Sequence, residues 1–335
     1  MPEIAVSVIC TVFNHAKYLR NALDGFVMQK TNFPFEVIVH DDASSDDSAA
    51  IIREYEAKYP NIIKAIYQTE NQYSKDKKAF DRFLYSQVRG KYFAYCEGDD
   101  YWCDPTKLQR QHDALETHPD CYMSAHIVGN IAEDGTLLTT TIPSVLTFEE
   151  GVLEADHLRK QMLDKEFYPF QTTSFFFRSG LLEYMENGAR EFVYHCPVTD
   201  YAMVLCALNR GNCYFINEIM SRYRRNSAGS WSSRQKSAAI HNTFSLRVAE
   251  SLSYYNELSG KKFDNQITEQ IADCKFNTLS FREQFRARKN PEFLPIYHKL
   301  SGRQRFFLGC CYYFPPFTPI YRRMKSARGA KLLYR

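Results

Sequence analysis

The 14 glycines of this 335-residue chain are so dispersed that no two lie closer than six residues. Neither GxGxxG nor GxxxxGKS/T can be written, which excludes the glycine fingerprints of dinucleotide folds and P-loops. The ten cysteines include no CxxC pair, and only Cys310 and Cys311 adjoin. That spacing provides neither zinc ligands nor a disulfide framework, so reduced cysteines of a cytosolic protein are the simpler reading. No apolar run approaches the roughly 20 residues that span a bilayer. The opening MPEIAVSVIC lacks the basic start of a signal peptide and reads as a first strand. A soluble or peripheral protein is expected. Acidic residues are absent from one region: Phe293 to Arg335 holds nine Lys/Arg and no Asp/Glu, in a chain of net charge only +3.

What is present supports a substantial core: 44% of residues are hydrophobic and 15% aromatic. The first 130 residues alternate strand and helix patterns. Ile4–Cys10, Phe35–Val39, Ile62–Tyr67, Tyr92–Cys96 and Cys121–Val128 are apolar runs suited to buried strands. Helical stripes fill His15–Lys30, the stretch from Asp46/Asp47 to Tyr59, Lys77–Val88, and the segment opened by Pro105. This alternation predicts an α/β fold with a mostly parallel central sheet and helices on both faces. Further on, a strand over Thr172–Phe177, a helix over Val198–Asn209 stopped by Gly211, and two short strands, Cys213–Ile216 and Ile219–Tyr223, are expected. The pattern turns helical near Arg234, dividing the chain into a body, 1–233, and a helical C-terminal extension, 234–335.

Three strand ends carry polar groups: Thr11 with Asn14, Asp41 with Asp42, and Glu97 with Asp99 and Asp100. Ligands of open α/β sheets bind outside the carboxyl ends of the strands, so neighbouring strands would bring these groups to one crevice. The last cluster, in CEGDDYWCDP, closes a buried run. Ionised carboxylates there need compensation, from a divalent cation that could hold a phosphate-bearing substrate or from the water around a solvated turn. Hard oxygen ligands favour Mg²⁺ or Mn²⁺.

Three segments in order, VSVICTVFNHAKYLRNAL, EVIVHDDASSDDS and GKYFAYCEGDDYWCDPTKLQRQ, resemble the family 2 glycosyltransferases over roughly residues 4–235. The resemblance implies a GT-A fold and an inverting, hexosyltransferase-type enzyme using a nucleotide-sugar donor, UDP-linked by preference, and a divalent metal. It implies donor contacts from the loop holding Thr11, Phe13 and Asn14, and from Asp41 and Asp42. A carboxylate such as Asp41 is suited to accept the uracil imide N–H. The family's DxD block falls on Glu97-Gly98-Asp99, with Glu in place of the first Asp; Asp99 is the first implied metal ligand and Asp100 the second. The implied general base is Asp200, at the start of a helix, where an aspartate can also serve only the helix dipole. Thr172, Thr173, Ser174 and Trp231 are implied on the acceptor side. Arg224 or Arg225 would face the leaving diphosphate, or stand as surface arginines.

The acceptor implied is a glycan or lipid-linked oligosaccharide of bacterial polysaccharide assembly. The basic tail contains Phe306–Phe314 flanked by Arg303, Arg305, Arg322 and Arg323. It reads as an element for a membrane surface, such as the cytoplasmic face of the inner membrane, or as core packing or a homodimer contact. The remaining 292 residues carry 33 basic and 39 acidic groups, so nucleic acid is not an expected partner. The competing class is a non-catalytic nucleotide-sugar-binding scaffold with the same fold.

Overall fold

The computed structural model describes residues 3–143, 148–164, 169–225 and 238–321. They divide into two compact units, one built from residues up to 194 with 198–225, the other from 195–197 with 238–321. Expected site residue Trp231, with Arg322 and Arg323 of the tail, lies outside the described residues.

The first unit opens with three parallel strands separated by helices: β1 (Val6–Val12), α1 (Ala16–Val27), β2 (Phe35–Asp41), α2 (Ser48–Lys58) and β3 (Ile63–Tyr67). Short α3 (Gln72–Lys75) and α4 (Lys77–Ser86) lead to β4 (Tyr92–Tyr95) and β5 (Tyr101–Trp102). Next come α5 (Lys107–Thr117), β6 (Cys121–Ile131), β7 (Leu137–Ile142), β8 (Gly151–Leu153) and α6 (Ala155–Leu163). The unit is completed by β9 (Phe176–Arg178), α7 (Gly180–Glu183), α8 (Arg190–His195, which ends at the second unit), α9 (Thr199–Arg210) and β10 (Asn212–Arg224). One sheet runs β3-β2-β1-β4-β9-β6-β10-β5, with β7 added on β6 and β8 on β10.

Strand β1 is parallel to β2 on one side and to β4 on the other, with Val12 opposite Asp41 and Ile9 opposite Tyr95. The three polar strand ends are therefore neighbours, as the crevice argument required. Strands β1 and β2 are buried along almost their whole length, which explains why their sequence is apolar without alternation.

Beyond β4 the sheet departs from the expected pattern. The segment Thr172–Phe177 is not one strand: Thr172–Ser174 forms a 3-10 turn and only Phe176–Arg178 is extended. The Gln171 side chain accepts from the Thr173 N–H at 2.7 Å and fixes the turn. Strand β9 then pairs antiparallel with both β4 and β6, held by Phe177 stacked on Phe93 and Phe176 on Tyr92, centroids 5.2 and 5.3 Å apart. The two short strands expected after Gly211 are one strand, β10, whose register against β6 slips between Ile216 and Ile219. Gly211 does not end α9 in the left-handed conformation; its backbone is extended. Glycine is needed there because a Cβ would stand 2.4 Å from the Asp120 carbonyl oxygen.

The second unit is helical: α10 (Ala238–Leu258), α11 (Asp264–Thr278), α12 (Phe281–Arg286), α13 (Leu294–Lys299) and α14 (Gly302–Tyr313). Ser280 and Ser301 start α12 and α14 with reciprocal capping boxes. Phe276, Ile296, Tyr297, Leu308 and Cys311 share a core. The aromatic tail segment is thus split: Leu308 and Cys311 are inside, while Phe306 and Tyr313, seven residues apart and on one face of α14, are 66% and 74% exposed. No described helix is long and apolar enough to cross a membrane.

Candidate active site

The acidic turn follows β4. Its place is fixed by two backbone bonds to β1, Cys96 N–H to the Ile9 carbonyl (3.1 Å) and Gly98 N–H to the Thr11 carbonyl (3.0 Å). Gly98 permits the approach: a Cβ there would lie 2.9 Å from His15 Nδ1 and 3.0 Å from Val12. The turn brings ligand oxygens of Glu97, Asp99 and Asp100 within 4.8 Å of one another. Three carboxylates this close repel one another unless protons or a cation separate them. A set of hard oxygen donors at this spacing fits Mg²⁺ or Mn²⁺.

The three acids differ in environment. Glu97 is exposed, Asp99 half-buried and Asp100 buried. One Asp100 carboxylate oxygen accepts the Arg224 backbone N–H at 2.8 Å and the other the Gln171 amide at 3.3 Å. Burial, with Asp99 and Glu97 beside it, still pushes the Asp100 carboxyl upward. Arg224 is buried too. Its Nε donates to the Asp99 carbonyl (3.0 Å), its Nη1 to the Ala132 and Glu133 carbonyls (3.2 and 2.9 Å), and its guanidinium lies 4.2 Å from the Tyr18 ring centre. Arg224 is therefore a clamp between β10, the acidic turn and the end of β6, in place of the diphosphate contact expected for it. Arg225 is exposed.

Behind the turn, Lys107 is fully buried, 4.1 Å from the Trp102 ring centre, and its Nζ donates to Gln111 at 2.6 Å. Burial pushes its ammonium down to about 7. Gln111 in turn donates to the Ser174 carbonyl (2.9 Å), and Trp102 Nε1 to the Thr173 carbonyl (3.2 Å). Thr173 and Ser174 are buried, their hydroxyls donating to Cys96 Sγ (3.2 Å) and the Gln171 carbonyl (2.7 Å). Both lie behind the turn, and of the three residues expected on the acceptor side Thr172 alone is half-buried.

On the other flank Asn14, with φ +56°, knits the β1 loop to the β2 loop. Its side-chain oxygen accepts from Ser45 N–H (2.8 Å), and its own N–H donates to Ser44 Oγ (2.9 Å). Thr11 is half-buried and Phe13 is 41% exposed. Asp41 is buried at the end of β2, accepting the Ser44 N–H at 3.3 Å. Asp42, also buried, accepts the N–H groups of Gln72 and Tyr73 at 2.7 and 3.0 Å. It caps α3, which uses both its oxygens and replaces the donor contact expected of it.

A family profile described as "Glycosyl transferase family 2" matches residues 7–185, more than half of the chain. The chain belongs to that family. It is 36% identical over 228 residues to an uncharacterized protein of Mycobacterium tuberculosis, covering 68% of this chain and 61% of that protein; the chain thus spans about 61% of that relative's length. It is 27% identical over 255 residues, 74% of this chain and 90% of the other, to TuaG of Bacillus subtilis, named for teichuronic acid biosynthesis. Among solved structures, Staphylococcus aureus TarS (residues 1–349, with UDP) superposes with a TM-score of 0.56 at 17% identity, covering 90% of this chain and 77% of that one. The fold is the GT-A fold of these glycosyltransferases.

Asp200 lies in the first turn of α9 and accepts the N–H of Tyr201 at 2.9 Å. Its charge adds to that of Asp99 at the Glu97 carboxyl. Crowding by protein, then the charges of Asp99 and Asp200, push the Glu97 carboxyl up to about 8, opposed by the ammonium of Lys77. Sequence reasoning missed Lys77. Its Nζ donates to Thr199 Oγ1 (2.7 Å), which donates to Asp81 (3.2 Å), linking α4 to the residue before Asp200. The spacing of Lys77 and Asp81, four residues apart on one helix, was the available signal.

The folded protein thus holds a proton on Glu97 that the unfolded chain, with an ordinary value near 4.5, has lost. Metal-free protein should therefore lose stability as pH rises from about 4.5 to about 8. Solvent at Glu97 screens the loss to about 1 kcal/mol. Urea unfolding across this range in chelator should show a flatter profile for Glu97→Gln than for wild type; identical profiles would refute the coupling.

Proposed function

We propose that this chain transfers a sugar from a nucleotide-sugar donor, UDP-linked, to a hydroxyl of a glycan or lipid-linked acceptor with inversion at the anomeric carbon. The observation that carries the reading is the acidic Glu97–Asp100 turn after β4, set beside the polar ends of β1 and β2, in a chain of this family. Asp200 is the base that takes the acceptor proton as its oxygen attacks the anomeric carbon. Asp41 and the Thr11–Asn14 loop receive the nucleotide, with Phe13 exposed beside it. TarS, of the same fold, has been solved with UDP and with UDP-GlcNAc.

Asp99 and Glu97 would hold the divalent ion, with Asp100 behind them. Bound there, Mg²⁺ or Mn²⁺ would neutralise charge on the departing diphosphate. Arg225, exposed beside the clamp, is the remaining arginine of the expected pair that could reach the diphosphate. The first unit is the transferase domain in this reading. The ten cysteines are all free, which suits a reducing cytoplasm. Phe306, Tyr313, Phe314 and Ile320, each more than half exposed, with Arg303 and Arg305, suit the second unit to an anionic membrane surface.

Three experiments test this. UDP at about 100-fold its dissociation constant should stabilise the protein by about 2.7 kcal/mol in Mn²⁺, and Asp99→Asn should abolish the metal-dependent part of that shift. Asp200→Asn should bind UDP normally yet lose about 10²–10⁴ in transfer rate; wild-type transfer by this variant would end the base assignment. In vesicle co-sedimentation, full-length protein should prefer anionic to neutral lipid. The Phe306→Ser/Phe314→Ser double variant should lose most of that binding, and undiminished binding would exclude the membrane surface.

A further inference from the structure

A cavity of about 280 Å³ opens between α4 and the α7–α8 segment. Its apolar wall is made by Tyr85, Leu182, Met185 and Val193, and the cations Lys78, Arg82 and Arg190 stand on the same lining. Two acids accompany them. Glu186 lies 4.0 Å from Arg82, and the second acid is Asp81, whose carboxyl burial pushes up against the pull of Lys77 and Lys78. Lys78 Nζ donates to the Val193 carbonyl at 2.7 Å, bracing the two walls. Arg190 is exposed and has no ion-pair partner among the described residues. An apolar wall with surplus positive charge recognises an apolar chain with an anionic head. The volume admits on the order of nine water- or methylene-sized groups.

The cavity is also tied to the proposed base. Asp81 lines it and accepts from Thr199, the residue before Asp200. Tyr85 lines it and its hydroxyl reaches Met203 Sδ at 3.7 Å, three residues beyond Asp200 on α9. A ligand here touches α4, whose Asp81 and Tyr85 contact the helix that presents the proposed base.

We propose that the cavity between α4 and α7–α8 binds the apolar chain of a phosphate-bearing amphiphile, as the aglycone of a lipid-linked acceptor whose sugar hydroxyl meets Asp200. This rests on the transferase reading and adds to it a class of acceptor and the place where its chain lies. A fatty acid would offer the same apolar chain with a carboxylate head, so the probes must separate the two.

Calorimetry on the full-length protein, with decyl phosphate below its micellar concentration, tests the assignment. Decyl phosphate should bind the wild type, at least tenfold more weakly to Leu182→Trp, which fills the cavity from a half-buried position, and three- to tenfold more weakly to Arg190→Ser. Decanoate should bind more weakly than decyl phosphate. UDP with Mn²⁺, measured on the same samples, should bind all three proteins alike, which verifies folding. No binding of decyl phosphate, or binding unchanged in folded Leu182→Trp, overturns the cavity site. Decanoate binding as tightly as decyl phosphate, with no effect of Arg190→Ser, overturns the phosphate head. Failure of UDP to bind while decyl phosphate binds would fall on the transferase reading instead.

Discussion

The acidic turn exists because Asp100 and Arg224 hold it from opposite directions. The Asp100 carboxylate takes the backbone N–H of Arg224, while the Arg224 side chain takes the carbonyl of Asp99 and two carbonyls at the end of β6. Neither group could be buried alone, since a charge taken out of water costs several kcal/mol without partners. Together they join three pieces of chain: the turn after β4, the last residue of β10, and the segment following β6. Each hydrogen bond contributes only about 1 kcal/mol net, but losing one partner strands several buried acceptors at once. The exposure of Glu97 and the half-burial of Asp99 follow from this arrangement. Asp100 faces inward to serve the frame, and its two neighbours are left toward the crevice.

The frame concentrates negative charge at one point, and the protein offsets it only in part. The N–H of Arg224 and the Gln171 amide favour the ionised form of Asp100, and Lys77 favours that of Glu97. Burial and mutual repulsion outweigh them, and both carboxyls are pushed upward. A site left in this state favours positive charge: protons held on its carboxyls up to neutral pH or, in the reading proposed above, a divalent cation.

Much of this was legible in the sequence because it is local. Apolar runs ending in polar residues located β1, β2 and β4, and right-handed crossovers between parallel strands leave few ways to arrange them. The acidic block and Asp200 were visible as residue types at element ends. What could not be read is pairing over distance. Nothing near Thr173 announces that Trp102, 71 residues away, will donate to its carbonyl. Likewise nothing beside Asp42 shows that Gln72 and Tyr73 will turn their N–H groups onto it. Adjacent carboxylates such as Asp41 and Asp42 look alike in sequence, yet one caps a helix with both oxygens and the other ends a strand at the crevice. Strand β9 was misread for a related reason: inserted antiparallel between β4 and β6, it is specified by aromatic partners across the sheet and has too few residues to show a period.

The least anticipated element is α4, which was read as a helix covering the sheet and also contacts Thr199 at the start of α9. Lys77 at its start offsets the charge of Glu97 and grips Thr199. One turn later Asp81 receives the same hydroxyl. Thr199 is thus held between a cation and an acid of one helix, and the next residue, Asp200, inherits that restraint. A base on a helix N-terminus has to resist two pulls: the helix dipole draws its carboxylate back toward the backbone N–H groups, and the acidic turn repels it. Fixing the preceding residue to α4 limits the movement either pull can cause. The helix that balances charge at the acidic turn therefore also sets the position of the acid opposite it. The structural link is one hydroxyl, Thr199 Oγ1, held between Lys77 and Asp81 of α4.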